Sequence, residues 1–189
     1  MKKGPSYFNF TAAKMFLILI CFLLFSCQEE AGVSPVIVFE TDFANTVPFV
    51  FSQEIIDPGF DGTATASIVN GEILLTSMQG SPTHNLAYSV ATFSEPIAVP
   101  SATRAINVTV HWEISMADRS FTEAMLIING KTIYLDEEAT SLNTVMTTTY
   151  SVKPSANSTL QTMIFKLREF NDAQPSLVAF KIKSITVSQ

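Results

Sequence analysis

Between residues 105 and 114 the chain alternates strictly. Ile106, Val108, Val110, Trp112 and Ile114 fall in one phase, and Asn107, Thr109, His111 and Glu113 in the other. Period two over ten residues predicts a strand with one buried face. Shorter runs of the same kind predict strands at Val36–Thr41, Thr65–Val69, Glu72–Thr76, Leu86–Phe93, Met125–Ile128, Lys131–Leu135, Val145–Val152, Thr159–Glu169 and Leu177–Val187. Two Asn-Gly pairs, Asn70-Gly71 and Asn129-Gly130, separate adjacent runs. A type I′ hairpin turn needs positive φ at both central residues, which Asn followed by Gly tolerates best. In the last run Phe180 and Ile182 are out of phase with Ile185 and Val187, which predicts a bulge near Lys183-Ser184. Around ten strands, short connections and no helical period predict an all-β, two-sheet antiparallel sandwich over residues 35–189, with a barrel as the other option.

The first thirty residues follow different rules. Lys2, Lys3 and Lys14 make a basic start without acidic residues, and Met15 to Phe25 is an unbroken apolar run. About eleven apolar residues suit an export signal, whereas a membrane-spanning helix needs about 20. Leu24-Phe25-Ser26-Cys27 then resembles the lipobox of bacterial lipoproteins, with leucine three positions before the cysteine and a small residue directly before it. That resemblance implies cleavage after Ser26, a signal peptide over residues 1–26, and Cys27 acylated with palmitate-like chains. Two or three such chains anchor a protein stably where one does not. Cys21 follows the bulky Ile20 and leaves with the signal. Gln28-Glu29-Glu30 resembles the acidic export signal of Bacteroidetes surface lipoproteins, implying an outer-membrane address facing the exterior. The competing reading is a plain polar tether. Residues 28–34, which precede Pro35, extend to about 23 Å at ~3.3 Å per residue.

Charge narrows the partners. The eleven basic residues include the three leader lysines, so the mature part carries eight against 17 acidic residues. Such a balance, with no basic run, disfavours nucleic acid and makes strongly anionic polysaccharides less favoured partners. With Cys27 acylated no thiol remains for a disulfide, a nucleophile or a metal, and packing, helped by fifteen phenylalanines, carries stability.

The opening Val38-Phe39-Glu40-Thr41-Asp42-Phe43, the central strand and the closing Ala179-Phe180-Lys181-Ile182-Lys183-Ser184-Ile185-Thr186-Val187 resemble, in their order, the jelly-roll sandwiches of carbohydrate-binding modules, galactose-binding-like or laminin-G-like. The resemblance implies a jelly roll whose last strand pairs near the first, and a polysaccharide ligand. Those modules often carry Asp-Asp or Asp-Asn in the closing strand, where this chain has Lys181 and Lys183.

Candidate chemistry is sparse. Trp112, the only tryptophan, offers a stacking platform for a sugar, but its phase places it in the core; only a row lining an open concave face would expose it. His111, Glu113, Lys166 and Arg168 occupy the outward phase of long strands and form either a polar ligand face or an ordinary solvated one. Asp57 and Asp61, with Glu54 in the loop Gln53–Gly62, offer oxygens suited to calcium, against the simpler reading of an acidic turn. No other cofactor is implied. Asp136-Glu137-Glu138 reads as a solvated turn. His84 and His111 lack the partners of a triad or metal motif. A glycosidase needs two carboxylates about 5–10 Å apart, for which Glu113 and Glu169 are the candidates. The leading reading is a surface-anchored, non-catalytic glycan-binding lipoprotein. The competing ones are a protein-assembly subunit of a surface complex and a small hydrolase.

Overall fold

The computed structural model describes residues 34–45, 48–80, 86–115, 121–170 and 176–189. The leader, Cys27, the tether up to residue 33 and His84 lie outside the described residues. In chain order the elements are β1 (Ile37–Thr41), β2 (Phe49–Ile55), β3 (Thr63–Val69), β4 (Glu72–Met78), β5 (Ala87–Phe93), β6 (Ile97–Ala98), β7 (Ile106–Ser115), β8 (Thr122–Ile128), β9 (Lys131–Tyr134), a short helix α1 (Leu135–Glu138), β10 (Met146–Val152), β11 (Thr159–Leu160), β12 (Met163–Glu169) and β13 (Val178–Ser188).

All pairings are antiparallel. One sheet runs β10-β7-β13-β4-β3, with β1 on the far half of β13; the other runs β2-β5-β12-β8-β9. The two-residue β6–β11 ladder lies apart from both. This is the two-sheet antiparallel β-sandwich that the alternation predicts, in the jelly-roll form that the resemblance implies. Its core is the inward phase of both sheets. Trp112 and Phe180, from one sheet, meet edge to face at 5.9 Å, and Phe180 reaches Phe165 of the other sheet at 6.2 Å. Phe49 and Phe93 extend this aromatic seam at 5.2 Å. Offset and edge-on ring pairs of this kind add about 0.5–1.5 kcal/mol each beyond area burial.

Both Asn-Gly turns adopt positive φ at both positions, 52° and 75° at Asn70-Gly71, 47° and 81° at Asn129-Gly130. The β13–β7 register slips between Ile182 and Ser184, so Lys183 is the extra residue and Phe180, Ile182, Ile185 and Val187 all reach the core.

Four expectations change. β2 is a strand where the sequence was read as loop from Gln53 onward. Its alternation lasts only through Phe49–Ser52, and as an edge strand its remainder, Gln53, Glu54 and Ile55, is exposed. The run Thr159–Glu169 breaks at Gln161-Thr162, where Asn129 Oδ1 accepts both backbone N–H groups. Asp136 is not in a solvated turn. It begins α1's acidic stretch but is 6% exposed, and its Oδ1 accepts the Ala124 N–H at 2.8 Å. Leu135, predicted as strand, opens the helix and is fully buried.

Register also assigns the loops to ends. Val36 and Gln189 exchange backbone hydrogen bonds, and Gln189 holds Ser101 and Arg104 with its side chain. The chain therefore enters the domain beside the start of β7, the end of β10 and the Asn129-Gly130 turn. The opposite end carries the loop 56–62 and the Phe121 and Phe170 neighbourhood, because Glu169 leads towards Val178 and lies beside Ser77 and Gln79.

Candidate functional site

The two outward faces differ in chemistry. On the six-stranded sheet the register lines up Ser151, Asn107 and Ser188, then Thr149, Thr109 and Thr186, then Thr147, His111 and Ser184. Several of these groups bond one another: Thr109 Oγ1 with Thr149 Oγ1 at 2.8 Å, and Thr147 Oγ1 with His111 Nδ1 at 2.8 Å. Beyond them Glu113 accepts from Lys181 at 3.0 Å and pairs with Lys183, which also donates to Glu72 at 2.6 Å. The Lys181 hydrogen bond, with Lys183 behind it, holds the Glu113 carboxyl below the ordinary carboxylate range. Glu72 in turn raises Lys183. This face is flat chemistry: hydroxyls and closed ion pairs.

The outward face of the five-stranded sheet is mixed. Its rows read Val50, Thr92, Ile164, Ile127, Thr132; then Ser52, Val90, Lys166, Met125, Tyr134; then Glu54, Tyr88, Arg168, Glu123. Val90 and Met125 point outward in phase yet are 5% and 8% exposed, whereas Val50 and Tyr134 on the edge strands are 55% and 43% exposed. The most open apolar groups of this face thus lie on its edge strands. The last row is one network. Arg168 pairs with Glu123 at 2.7 Å and lies over the rings of Tyr88 and Phe170, 4.8 Å and 5.2 Å from their centroids. Lys166 lies over the same Tyr88 ring and pairs with Glu54. The Tyr88 hydroxyl donates to Glu123 at 2.8 Å. Burial first, and that hydrogen bond second, push the phenol far above its ordinary range, so it remains a donor.

The residues singled out from sequence therefore separate. His111 and Glu113 lie on one outer face, Lys166 and Arg168 on the other, so the four do not form one surface. Trp112 is 0% exposed and its Nε1–H donates to Thr148 Oγ1 at 2.6 Å; it offers no platform to a ligand. Glu113 faces outward from one sheet while Glu169, 2% exposed, points inward from the other and accepts the Gln79 N–H at 2.7 Å. They do not flank a common site. Asp57 Oδ2 accepts the Leu86 N–H at 3.0 Å. Asp61 packs so tightly on Gly80 that a Cβ there would collide with its Oδ1. Among the described residues no group of three or more His, Cys, Asp or Glu side chains is placed to share a metal ion. Glu123 and Phe170 escaped the sequence reading. Glu123 shares the outward phase of a strand read too short, and Phe170 lies one residue past a strand end, where alternation carries no signal.

No protein-family model matches the sequence, and no curated protein matches it. Among solved structures the chain is similar to a xylan-binding module, CBM15, at 14% identity and TM-score 0.46, over 82% of this chain and 97% of that one. It is similar to the family 11 carbohydrate-binding module of a cellulosomal cellulase of Clostridium thermocellum at 10% identity and TM-score 0.42, over 82% and 95%. A cyclase from Fischerella sp. also aligns, at 11% identity and TM-score 0.34, over 82% and 98%.

Proposed function

We propose that this chain is a lipid-anchored, non-catalytic protein of the outer cell surface that binds glycans on the outer face of its five-stranded sheet. The observation that carries the reading is the chemistry of that face. Aliphatic and aromatic groups (Val50, Val90, Met125, Tyr134) lie beside polar groups already fixed by the Tyr88 network. A sugar presents an apolar C–H face and a hydroxyl edge, and sites for such ligands combine apolar lining with a few rigidly placed polar groups. Because Glu54 and Glu123 neutralise Lys166 and Arg168, the face suits an uncharged glycan better than an anionic one. A soluble form spanning residues 28–189 keeps the whole of the compact unit Val36–Gln189. On a glycan array it is expected to retain neutral polysaccharides, and Tyr134→Ala to weaken that retention about tenfold. No binding across neutral and acidic glycans would sink the reading.

The anchor part rests on the Leu24-Phe25-Ser26-Cys27 sequence and is tested by labelled palmitate, which the Cys27→Ser variant must fail to incorporate. A protein-assembly role draws on a different observation. β10 is an edge strand of seven residues without proline, charge or bulge, and such an edge is open to pairing with another strand. Recovery of one stable protein partner, lost on Thr149→Pro and indifferent to glycan, would favour that role instead.

A further inference from the structure

The end of the sandwich where the chain enters is basic, in a domain that is otherwise acidic. Register places Arg104 before β7, Lys131 at the start of β9 and Lys153 at the end of β10, all at this end, and all three are exposed. Lys166, Arg168, Lys181 and Lys183 are each held by a carboxylate; Arg104, Lys131 and Lys153 make no ion pair among the described residues. Among the described residues Glu95, two residues past the end of β5, lies at this end, while register places Glu54, Asp57, Asp61, Glu123 and Glu169 towards the opposite one. Beside Lys153 lies a shallow depression of about 390 Å³ lined by Asn129, Ser155, Gln161 and Thr162. Its walls are fixed: Asn129 bonds the Lys153 carbonyl and the Gln161 N–H. Val36 and Ile37, at the point of entry, are 48% and 58% exposed apolar residues.

We propose that this end docks on the phosphate-bearing headgroups of the bilayer that carries the lipid anchor, with Arg104, Lys131 and Lys153 as the contacts. The inference rests on the anchored reading and goes beyond it, because an anchor holds the domain near the membrane without orienting it. Seven tether residues keep this end within a few nanometres of the headgroups, so weak, unpaired cations act at high effective concentration. The acidic opposite end is repelled from the same surface. Together they give the domain one preferred orientation, which leaves the five-stranded face standing beside the membrane and not pressed against it.

The full lipidated protein in vesicles tests this. A fluorophore is attached through Ala156→Cys at the entry end, or through Pro58→Cys at the far end, and read with a headgroup-borne quencher. In vesicles of phosphatidylglycerol and phosphatidylcholine, quenching is expected to be at least threefold stronger at position 156 than at 58. Phosphatidylcholine alone, high salt, or the triple variant Arg104→Gln, Lys131→Gln, Lys153→Gln should each abolish the difference while the protein still floats with the vesicles. Equal quenching at the two ends in anionic vesicles, or a difference that survives the triple variant, overturns the orientation alone. A protein that does not float at all overturns the anchor and the orientation together.

Discussion

Trp112 shows how one side chain can be decided by its polar atom. The indole is fully buried in the phase of Val110 and Ile114, and its N–H finds Thr148 Oγ1 on the neighbouring strand. Replacing Thr148 with valine keeps the shape but leaves that donor without a partner. A buried donor left unpaired costs about 1–3 kcal/mol, so Thr148→Val is expected to lower the urea midpoint accordingly with an unchanged slope. A change under about 0.3 kcal/mol would mean that the indole N–H finds another acceptor. Asp136 is the second such residue. Burial is the largest influence on it and raises its pKa above the ordinary aspartate value, although the Ala124 N–H pulls the other way. A carboxyl raised in the folded state binds its proton more tightly there than in the unfolded chain. Its contribution to stability is therefore most favourable at low pH and falls as pH rises through the interval above 3.8. Asp136→Asn preserves the acceptor for Ala124 without the charge. The variant should gain on the wild type as pH rises from 4 to 7, and the two should converge at acid pH. A constant offset across the range would show that Asp136 is not the titrating group. Alternation told which face each of these residues occupies. It could not tell what bonds them, because Thr148 and Ala124 are partners only across strand pairings that a single sequence does not reveal.

At the scale of elements, most strands were legible because one phase of each is apolar without interruption. The hairpins were legible because Asn-Gly has so few other uses. What failed has a common cause: β2, the break between β11 and β12, and α1 are set by tertiary partners and not by local pattern. β2 exists because Phe49–Ile55 pairs with β5 along its whole length. The break exists because Asn129 captures two backbone donors, and α1 because Asp136 is needed beside Ala124. The separation of His111 and Glu113 from Lys166 and Arg168 has the same origin, since identical outward phases arise on either sheet. The bulge at Lys183 gives an element-scale test. Lys183→Ala removes two partly exposed ion pairs and is expected to cost about 0–1 kcal/mol. Deleting Lys183 brings Ile185 and Val187 into the phase of Phe180 and Ile182, so a regular β13 keeps all four on the core, since a one-residue change exchanges faces. The deletion should therefore keep cooperative unfolding by circular dichroism, as the alanine variant does. Loss of cooperative unfolding in the deletion alone would show that the bulge itself is needed to hold β13.

At the scale of the whole molecule, the sandwich has two outer faces, and they would offer a sugar different chemistry. The six-stranded face offers hydroxyls that already bond each other and cations that already hold carboxylates, so a ligand would have to break those contacts to form its own. The five-stranded face instead leaves apolar groups such as Val50 and Tyr134 open to solvent, where removing apolar surface from water contributes roughly 25 cal/mol per Å². The faces can be scored against each other on one protein. Thr109→Lys, on the hydroxyl face, should change glycan retention by less than twofold. Val50→Asp, on the edge strand of the five-stranded face, should reduce it at least tenfold. Both positions point outward, and Val50 is 55% exposed, so both variants should melt within a few degrees of the wild type, which separates lost binding from lost folding. If Thr109→Lys is the variant that loses the ligand, the binding surface is the hydroxyl face. Recognition then proceeds through hydrogen bonds to an ordered array of sugar hydroxyls, and the apolar edge of the five-stranded face is left for a protein strand or a second copy.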